Sequence, residues 1–277
     1  MTSSAPDAVL AVRSLSVSFG AGKGPAWWRR SGPPVRALDG VTVDVQRRET
    51  LALVGESGSG KTTLGRVLVG LQRPTSGSVH LDGQELGPVL RRDFARTRRA
   101  LQIIFQDPTG SLTPWLRVGD AIAEPLLVHG IVPDKAAART RVAELFDMVG
   151  LRPEHARRYP REFSGGQRQR IAIARALALE PEVIVCDEIT SGLDASIRAR
   201  IVNLLSDLRQ QRRLTYVFIT HDLHVARTVS DRIAVMSGGR IVELGPAEQV
   251  FDQPSHPYTQ RLLRAQPTLP PRQARSA

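Results

Sequence analysis

Gly55-Glu56-Ser57-Gly58-Ser59-Gly60-Lys61-Thr62 follows the apolar run Leu51-Ala52-Leu53-Val54 and opens a segment with helical spacing from Thr62 to Leu71, where Gly70 and Pro74 punctuate the end. The pattern G-x4-G-K-[ST] between a strand and a helix predicts a site for a nucleoside triphosphate. Its glycines let successive backbone N–H groups curl into a nest around phosphate oxygens. The start of the helix adds a partial positive charge at the same place. Lys61 can then reach the β and γ phosphates, and the Thr62 hydroxyl can ligate Mg²⁺. Lysine is scarce in this chain, with Lys23 and Lys135 the others, so its position here carries weight. An ordinary glycine-rich turn is the plain alternative, and the flanking strand and helix disfavour it.

Two more apolar runs point to the same sheet edge. Val183-Ile184-Val185-Cys186 and Tyr216-Val217-Phe218-Ile219 read as strands covered on both faces. Open parallel sheets bind ligands at the carboxyl ends of their strands, and these two end in Asp187-Glu188 and Thr220-His221-Asp222. Asp187 is placed to hold Mg²⁺ through its water shell. Glu188 points elsewhere and can polarise an attacking water, and His221 can contact either the γ-phosphate or that water. Acids that cap the next helix, and a histidine satisfied by backbone, are the plainer reading of the same residues. Gln106, after the strand-like Leu101-Gln102-Ile103-Ile104-Phe105, can ligate Mg²⁺ while sensing a moving segment.

The rest of the chain fits an α/β domain with a subdomain. Val9 to Val17 and Val41 to Val45 read as strands, with Phe19 closing the first, and a helix is expected from about Ser196 to Arg209. Residues from about Val118 to Gly150 look helical and separate, broken by Pro125 and Pro133. Val142, Leu145, Phe146 and Val149 share one face there. The Gly/Pro-rich loop from Gly20 to Pro34 carries Trp27-Trp28-Arg29-Arg30, either a contact for anionic lipid headgroups or a protein partner at that boundary, or a surface insertion with a partly buried tryptophan. Residues 266–277 read as a loose tail. With 277 residues and 41% hydrophobic content the chain can bury a full core. It has no apolar run of membrane-spanning length, no basic start and no signal-like segment, so a cytoplasmic location is expected. One cysteine, Cys186, excludes an intramolecular disulfide. The net charge of +11 comes from scattered arginines without interleaved aromatics, which favours a solvated basic surface over nucleic-acid binding.

Ser164-Gly165-Gly166-Gln167-Arg168-Gln169-Arg170 supplies the second half of the argument. A serine and two glycines opening a helix make another anion site, because the first N–H groups of a helix are unpaired. Two complementary phosphate-binding surfaces on one chain suit a head-to-tail dimer, each closing on the other subunit's nucleotide. The stretch resembles the signature motif of the ABC transporter ATPases. The loop at 55–62, Gln106, Asp187-Glu188, Ser191-Gly192-Leu193-Asp194 and His221 keep that family's order over essentially the whole chain.

The resemblance implies a P-loop NTPase fold, with a RecA-like α/β core from residues 1–106 and 161–265. The core would carry an N-terminal antiparallel β subdomain and an inserted helical subdomain, 107–160, that meets the membrane subunit. It implies that Phe19 stacks on adenine and that residues 55–63, including Thr63, bind ATP. Gln106 becomes the glutamine-loop residue, Glu188 the catalytic carboxylate and His221 the switch histidine. Ser164, Gly165, Gly166 and Gln167 would meet the γ-phosphate of ATP held by a partner, with Asp194 in the loop where the two sites communicate.

Gly55-Glu56-Ser57, Phe105-Gln106-Asp107-Pro108, and His256-Pro257-Tyr258-Thr259 with Leu262-Leu263 after it resemble the oligopeptide/dipeptide/nickel importers. That resemblance implies an ATP hydrolase, with ATP and Mg²⁺, at the cytoplasmic face of the membrane. Its expected partners are permease subunits, a homologous ATPase chain (a heterodimer ahead of a homodimer) and, indirectly, an extracytoplasmic solute-binding protein; nucleic acid is not expected. An ABC ATPase serving a phosphonate-processing or nucleic-acid-associated complex is the alternative. Three departures stand out. Ile189 replaces a usual proline, Phe163 replaces a usual leucine, and one cysteine cannot build the four-cysteine iron–sulphur site some members carry.

Overall fold

A computed structural model describes residues 8–20, 34–107, 110 and 112–265. The Trp27–Arg30 stretch and the 266–277 tail lie outside the described residues. β1 (Ala8–Phe19) and β2 (Val35–Gln46) pair antiparallel. β3 (Thr50–Val54), buried throughout, leads to α1 (Lys61–Leu68). β4 (Ser76–Leu81) and β5 (Gln84–Glu85) complete a four-stranded antiparallel sheet of order β2-β1-β4-β5. Next come α2 (Leu86–Arg92), α3 (Phe94–Ala100), β6 (Leu101–Ile104), α4 (Val118–Val128), α5 (Lys135–Met148) and α6 (Gly165–Leu177). β7 (Val183–Asp187), α7 (Ala195–Arg212), β8 (Thr215–Ile219) and α8 (Leu223–Val229) continue the chain. The described chain closes with β9 (Arg232–Ser237), β10 (Arg240–Pro246), α9 (Ala247–Asp252) and α10 (Pro257–Arg264). The second sheet runs β10-β9-β3-β8-β7-β6, parallel except for the β9–β10 pair.

The central parallel strands β3, β7 and β8 are buried at every position because each face meets its own layer, and the two-residue period of a strand sorts the side chains. Leu51, Leu53, Val183, Val185, Val217 and Ile219 pack with Leu64 and Leu68 of α1 and with the antiparallel sheet. Their neighbours Ile184, Cys186, Tyr216 and Phe218 face the other way, toward Ile171 and Ile173 of α6 and Ile201 of α7. Ala52 and Val54 join a third cluster with Ile233, Val235 and Tyr258. Register then fixes the site. Ile219 is level with both Leu53 and Asp187, so β3, β8 and β7 end side by side.

Val142, Leu145, Phe146 and Val149 are all buried, as their spacing predicts. The segment is less separate than the sequence suggests, since these residues, Ile122 and Leu126 belong to the same core as Ile184 and Phe218. Pro125 lies within α4 and does not end it. The fully buried Ile122 and Leu126 on either side hold the helix through the missing N–H. Asp134, after Pro133, does start a helix by accepting from the Ala136 and Ala137 N–H groups, both at 2.8 Å. α1 stops at Leu68, short of the expected Leu71. The Arg98 guanidinium takes the freed Val69 carbonyl at 2.9 Å. Among the described residues no helix is long and apolar enough to cross a membrane.

Phe146 is fully buried where α5 meets the main core. Phe146→Ala is expected to destabilise the chain by about 3–5 kcal/mol, read from the urea unfolding midpoint.

Candidate functional site

The loop after β3 approaches other backbone so closely that its glycine is obligatory. Gly55 has φ +149°, and a Cβ there would lie 2.2 Å from the Met236 carbonyl oxygen of β9. The Ser59 carbonyl accepts from the Gly239 N–H at 3.1 Å, tying the loop to the β9–β10 turn. Inside the loop the Lys61 ammonium donates to the Gly55 and Glu56 carbonyls, each at 2.8 Å, and to Ser59 Oγ at 3.4 Å. Lys61 is buried, and burial lowers its pKa against the opposing pull of Glu188 and Asp187. α1 begins at Gly60 without a side-chain cap. By contrast, Ser164, Asp194 and Asp222 cap α6, α7 and α8 with their own oxygens. The opening of α1 is thus left available to an anion.

Thr62, the first residue beyond Lys61 on α1, donates its hydroxyl to Asp187 Oδ1 at 3.0 Å. Burial pushes the Asp187 carboxyl above the usual aspartate range. The Thr62 bond, Arg66 and Lys61 pull it back, while Glu188 acts with burial. Glu188 sits in the left-handed region, at φ +49°, while its N–H still donates to the Ile219 carbonyl at 3.0 Å. Its carboxylate reaches His221, whose Nδ1 lies 3.4 Å from Glu188 Oε2. Cys186, one residue before Asp187, is fully buried, and burial raises its thiol well above the ordinary range, which leaves it unreactive.

Gln106 Nε2 donates to Ser191 Oγ at 3.2 Å, joining the ends of β6 and β7. Ser164 and Gln167 form a reciprocal capping box, with Ser164 N–H to Gln167 Oε1 at 3.0 Å and Gln167 N–H to Ser164 Oγ at 3.4 Å. Gly166 packs so tightly on α7 that a Cβ would meet Ile197 Cγ2 at 2.6 Å. Asp194 accepts from the Ile197 N–H at 2.9 Å, the Ser196 hydroxyl at 2.9 Å and the Ser196 N–H at 3.0 Å, and these bonds hold its pKa below the usual range.

The structure therefore brings Gly55–Thr62, Asp187, Glu188 and His221 to one sheet edge, with Gln106 linked through Ser191. Ser164–Gln167 and Asp194 form a second group around the start of α7. No hydrogen bond joins that group to the phosphate loop among the described residues, and Ser164 and Gly165 are exposed. Phe19 stands apart at the end of β1, 45% exposed, and Thr63 lies within α1. Two departures have structural accounts. Ile189 is buried in the main core, and Phe163 packs edge-on against His155 at 5.7 Å.

Two residues, Arg198 and Tyr258, make contacts that no motif assigns to them. Arg198 donates to the Leu193 carbonyl at 3.3 Å and to Asp222 Oδ2 at 3.0 Å, linking the Asp194 loop to the residue after His221. Tyr258 lends its hydroxyl to the Glu56 N–H at 3.1 Å. The Arg198–Asp222 and Tyr258–Glu56 bonds each cross many residues of sequence, and no local spacing announces them.

A family profile described as ABC transporter matches residues 38–191, and one described as the oligopeptide/dipeptide transporter C-terminal region matches residues 242–277. The chain is 50% identical over 267 residues to the glutathione import ATP-binding protein GsiA of Escherichia coli (strain K12), covering 96% of this chain and 42% of that protein. The chain thus spans less than half the length of that relative. A candidate peptide import ATP-binding protein of Brucella abortus (strain 2308) is 53% identical over 84% of this chain and 70% of its own length. Among solved structures, CbiO1 of Clostridium perfringens, described as part of the ABC transporter complex CbiONQ, superposes with a TM-score of 0.75 at 28% identity, over 89% of this chain and 92% of its own. The ATP-binding cassette MJ0796, solved as a dimer in a post-hydrolysis state bound to ADP and Pi, gives the same TM-score and identity over 86% and 98%.

The raised pKa of Asp187 makes a prediction with a definite sign. An acid whose folded pKa lies above its unfolded value destabilises the fold when ionised, so the cost grows as pH rises above about 4. Asp187→Asn is expected to raise the melting midpoint of the nucleotide-free chain by a few degrees at pH 7–8, with the gain fading toward pH 4. Calorimetry at both ends of that range checks it.

Proposed function

The chain belongs to the ABC transporter family of ATP-binding proteins, and from that premise we propose that it is the ATP-hydrolysing subunit of an importer for peptides or a related small solute. One observation carries the catalytic part. A buried lysine, a threonine–aspartate pair and a glutamate–histidine pair converge at the ends of three adjacent strands. The solute class rests on the C-terminal region, residues 242–277, and on relatives named for glutathione and peptide import.

Lys61 and the free N–H groups at the start of α1 bind the phosphates. Thr62 Oγ1 and Asp187, with Gln106 nearby, offer hard oxygen donors to Mg²⁺, which takes one or two carboxylates and completes its shell with phosphate oxygens and water. The residues fit that ion. Burial makes an ionised Asp187 costly until a cation arrives, and no cage of three or more histidine, cysteine or acidic ligands exists among the described residues to hold a metal without phosphate. Bound there, Mg²⁺ would neutralise charge on the transferring phosphoryl group. Glu188 orients the attacking water and receives its proton, and His221 fixes the Glu188 carboxylate. Phe19 stacks on adenine.

Ser164, Gly165, Gly166 and Gln167 of each chain close over the nucleotide held by the other, and Asp194 relays between the two sites. Residues 107–160 form the helical subdomain that meets the permease, between the two parts of the α/β core at 1–106 and 161–265. The working assembly pairs this chain with a homologous ATPase at the cytoplasmic face of the membrane, two permease subunits and a solute-binding protein outside.

Glu188→Gln, assayed with the partner subunits, is expected to keep nucleotide affinity within about threefold and to lose hydrolysis by at least about 10²-fold. Undiminished steady-state turnover contradicts the assignment. Recovery of permease subunits with the tagged chain supports the importer reading, and recovery of nucleic acid without permease opposes it.

A further inference from the structure

The segment after β10 reaches back to the phosphate loop. Glu243 of β10 accepts from the Ser255 N–H at 2.8 Å and the His256 N–H at 3.1 Å. His256 Nδ1 accepts from the Tyr258 N–H at 3.1 Å, capping α10, whose second position is Tyr258. The Tyr258 ring is buried in the cluster that contains Val54, the last residue of β3. From there the phenol hydroxyl accepts the Glu56 N–H at 3.1 Å, a contact spanning 202 positions of sequence.

The peptide group between Gly55 and Glu56 is thus held on both edges. Its carbonyl takes the Lys61 ammonium at 2.8 Å, and its N–H takes the Tyr258 hydroxyl. A trans peptide points those two groups in opposite directions, so the two contacts together fix the plane's rotation. An ammonium that turns to phosphate oxygens releases its side of that grip. The phenol then remains to hold the first peptide of the nest in the orientation the phosphates require. Ring burial, the His256 cap and the Glu243 anchor each restrict where that phenol can go.

We propose that Tyr258 is a positioning residue for nucleotide binding, and that the segment from Glu243 to α10 is the strut that presents its hydroxyl to the phosphate loop. The proposal rests on the reading of residues 55–62 as the ATP site. The hydroxyl acts equally before and after chemistry, so its loss weakens binding without slowing the bound complex.

Tyr258→Phe in the full-length chain removes the oxygen and keeps the ring. Two measurements on that variant test the idea: hydrogen–deuterium exchange of the nucleotide-free protein across residues 54–58, and titration with Mg-ATP giving both Kd and stoichiometry. The expected result is about tenfold faster exchange at the Glu56 amide, a Kd raised about 3- to 10-fold and unchanged stoichiometry. Exchange and Kd both within twofold of wild type overturn the proposal, as does faster exchange with an unchanged Kd. A lower stoichiometry at unchanged Kd also overturns it, because the hydroxyl would then only support folding. A wild-type chain that binds no Mg-ATP overturns the ATP-site reading as well. That outcome is distinct from the others, in which wild-type binding is intact.

Discussion

The buried Lys61 ammonium, bound to the carbonyls of Gly55 and Glu56, is the interaction around which the rest is arranged. A charge removed from water must find rigid partners or lose its proton. The loop supplies backbone oxygens, and Asp187 and Glu188 add negative charge from the next strands. The same burial that strains the lysine strains Asp187. Lys61 and Asp187 offset one another's burial in part, and the proposed magnesium triphosphate would supply both an anion and a cation at once.

Rigidity comes from the sheet. β3, β8 and β7 end level because Ile219 is in register with Leu53 and with Asp187. Their alternate side chains are committed to opposite cores, so a slip of one residue would send every side chain into the wrong core. The loop is pinned from three sides by Met236, Gly239 and Tyr258. The Ser164–Gln167 group is built differently. Ser164 and Gln167 satisfy one another, Gly166 seats the helix on α7, and exposed Ser164 and Gly165 are left facing outward. The chain thus carries two separate groups, the Lys61 loop beside Asp187 and Glu188 and the exposed Ser164–Gly165 surface, and the proposed function assigns the first to phosphate and the second to a partner's nucleotide.

Much of this was legible in the sequence because it is local. The Gly55–Thr62 loop, the apolar strands before Asp187 and Thr220, and the face shared by Val142, Leu145, Phe146 and Val149 are short-range patterns that burial enforces. β4, β5, α2 and α3 were not legible. They are brief and partly exposed, so neither period has room to show. Pro125 misled as a breaker because tertiary packing of Ile122 and Leu126 outweighs one missing hydrogen bond. Arg198 and Tyr258 were invisible as site residues for another reason. Each acts through a hydrogen-bonded contact with a distant segment; Arg198 belongs to no motif, and the His256-Pro257-Tyr258-Thr259 motif does not tell which loop its tyrosine meets.

The central claim is that nucleotide is gripped between two chains, and solution mass tests it most directly. Sedimentation of the Glu188→Gln chain with its companion ATPase subunit, with and without saturating Mg-ATP, reads the assembly itself. The account predicts a nucleotide-dependent dimer that Ser164→Arg on both chains abolishes while each chain still binds ATP. Stoichiometric ATP binding by chains that stay monomeric would contradict it.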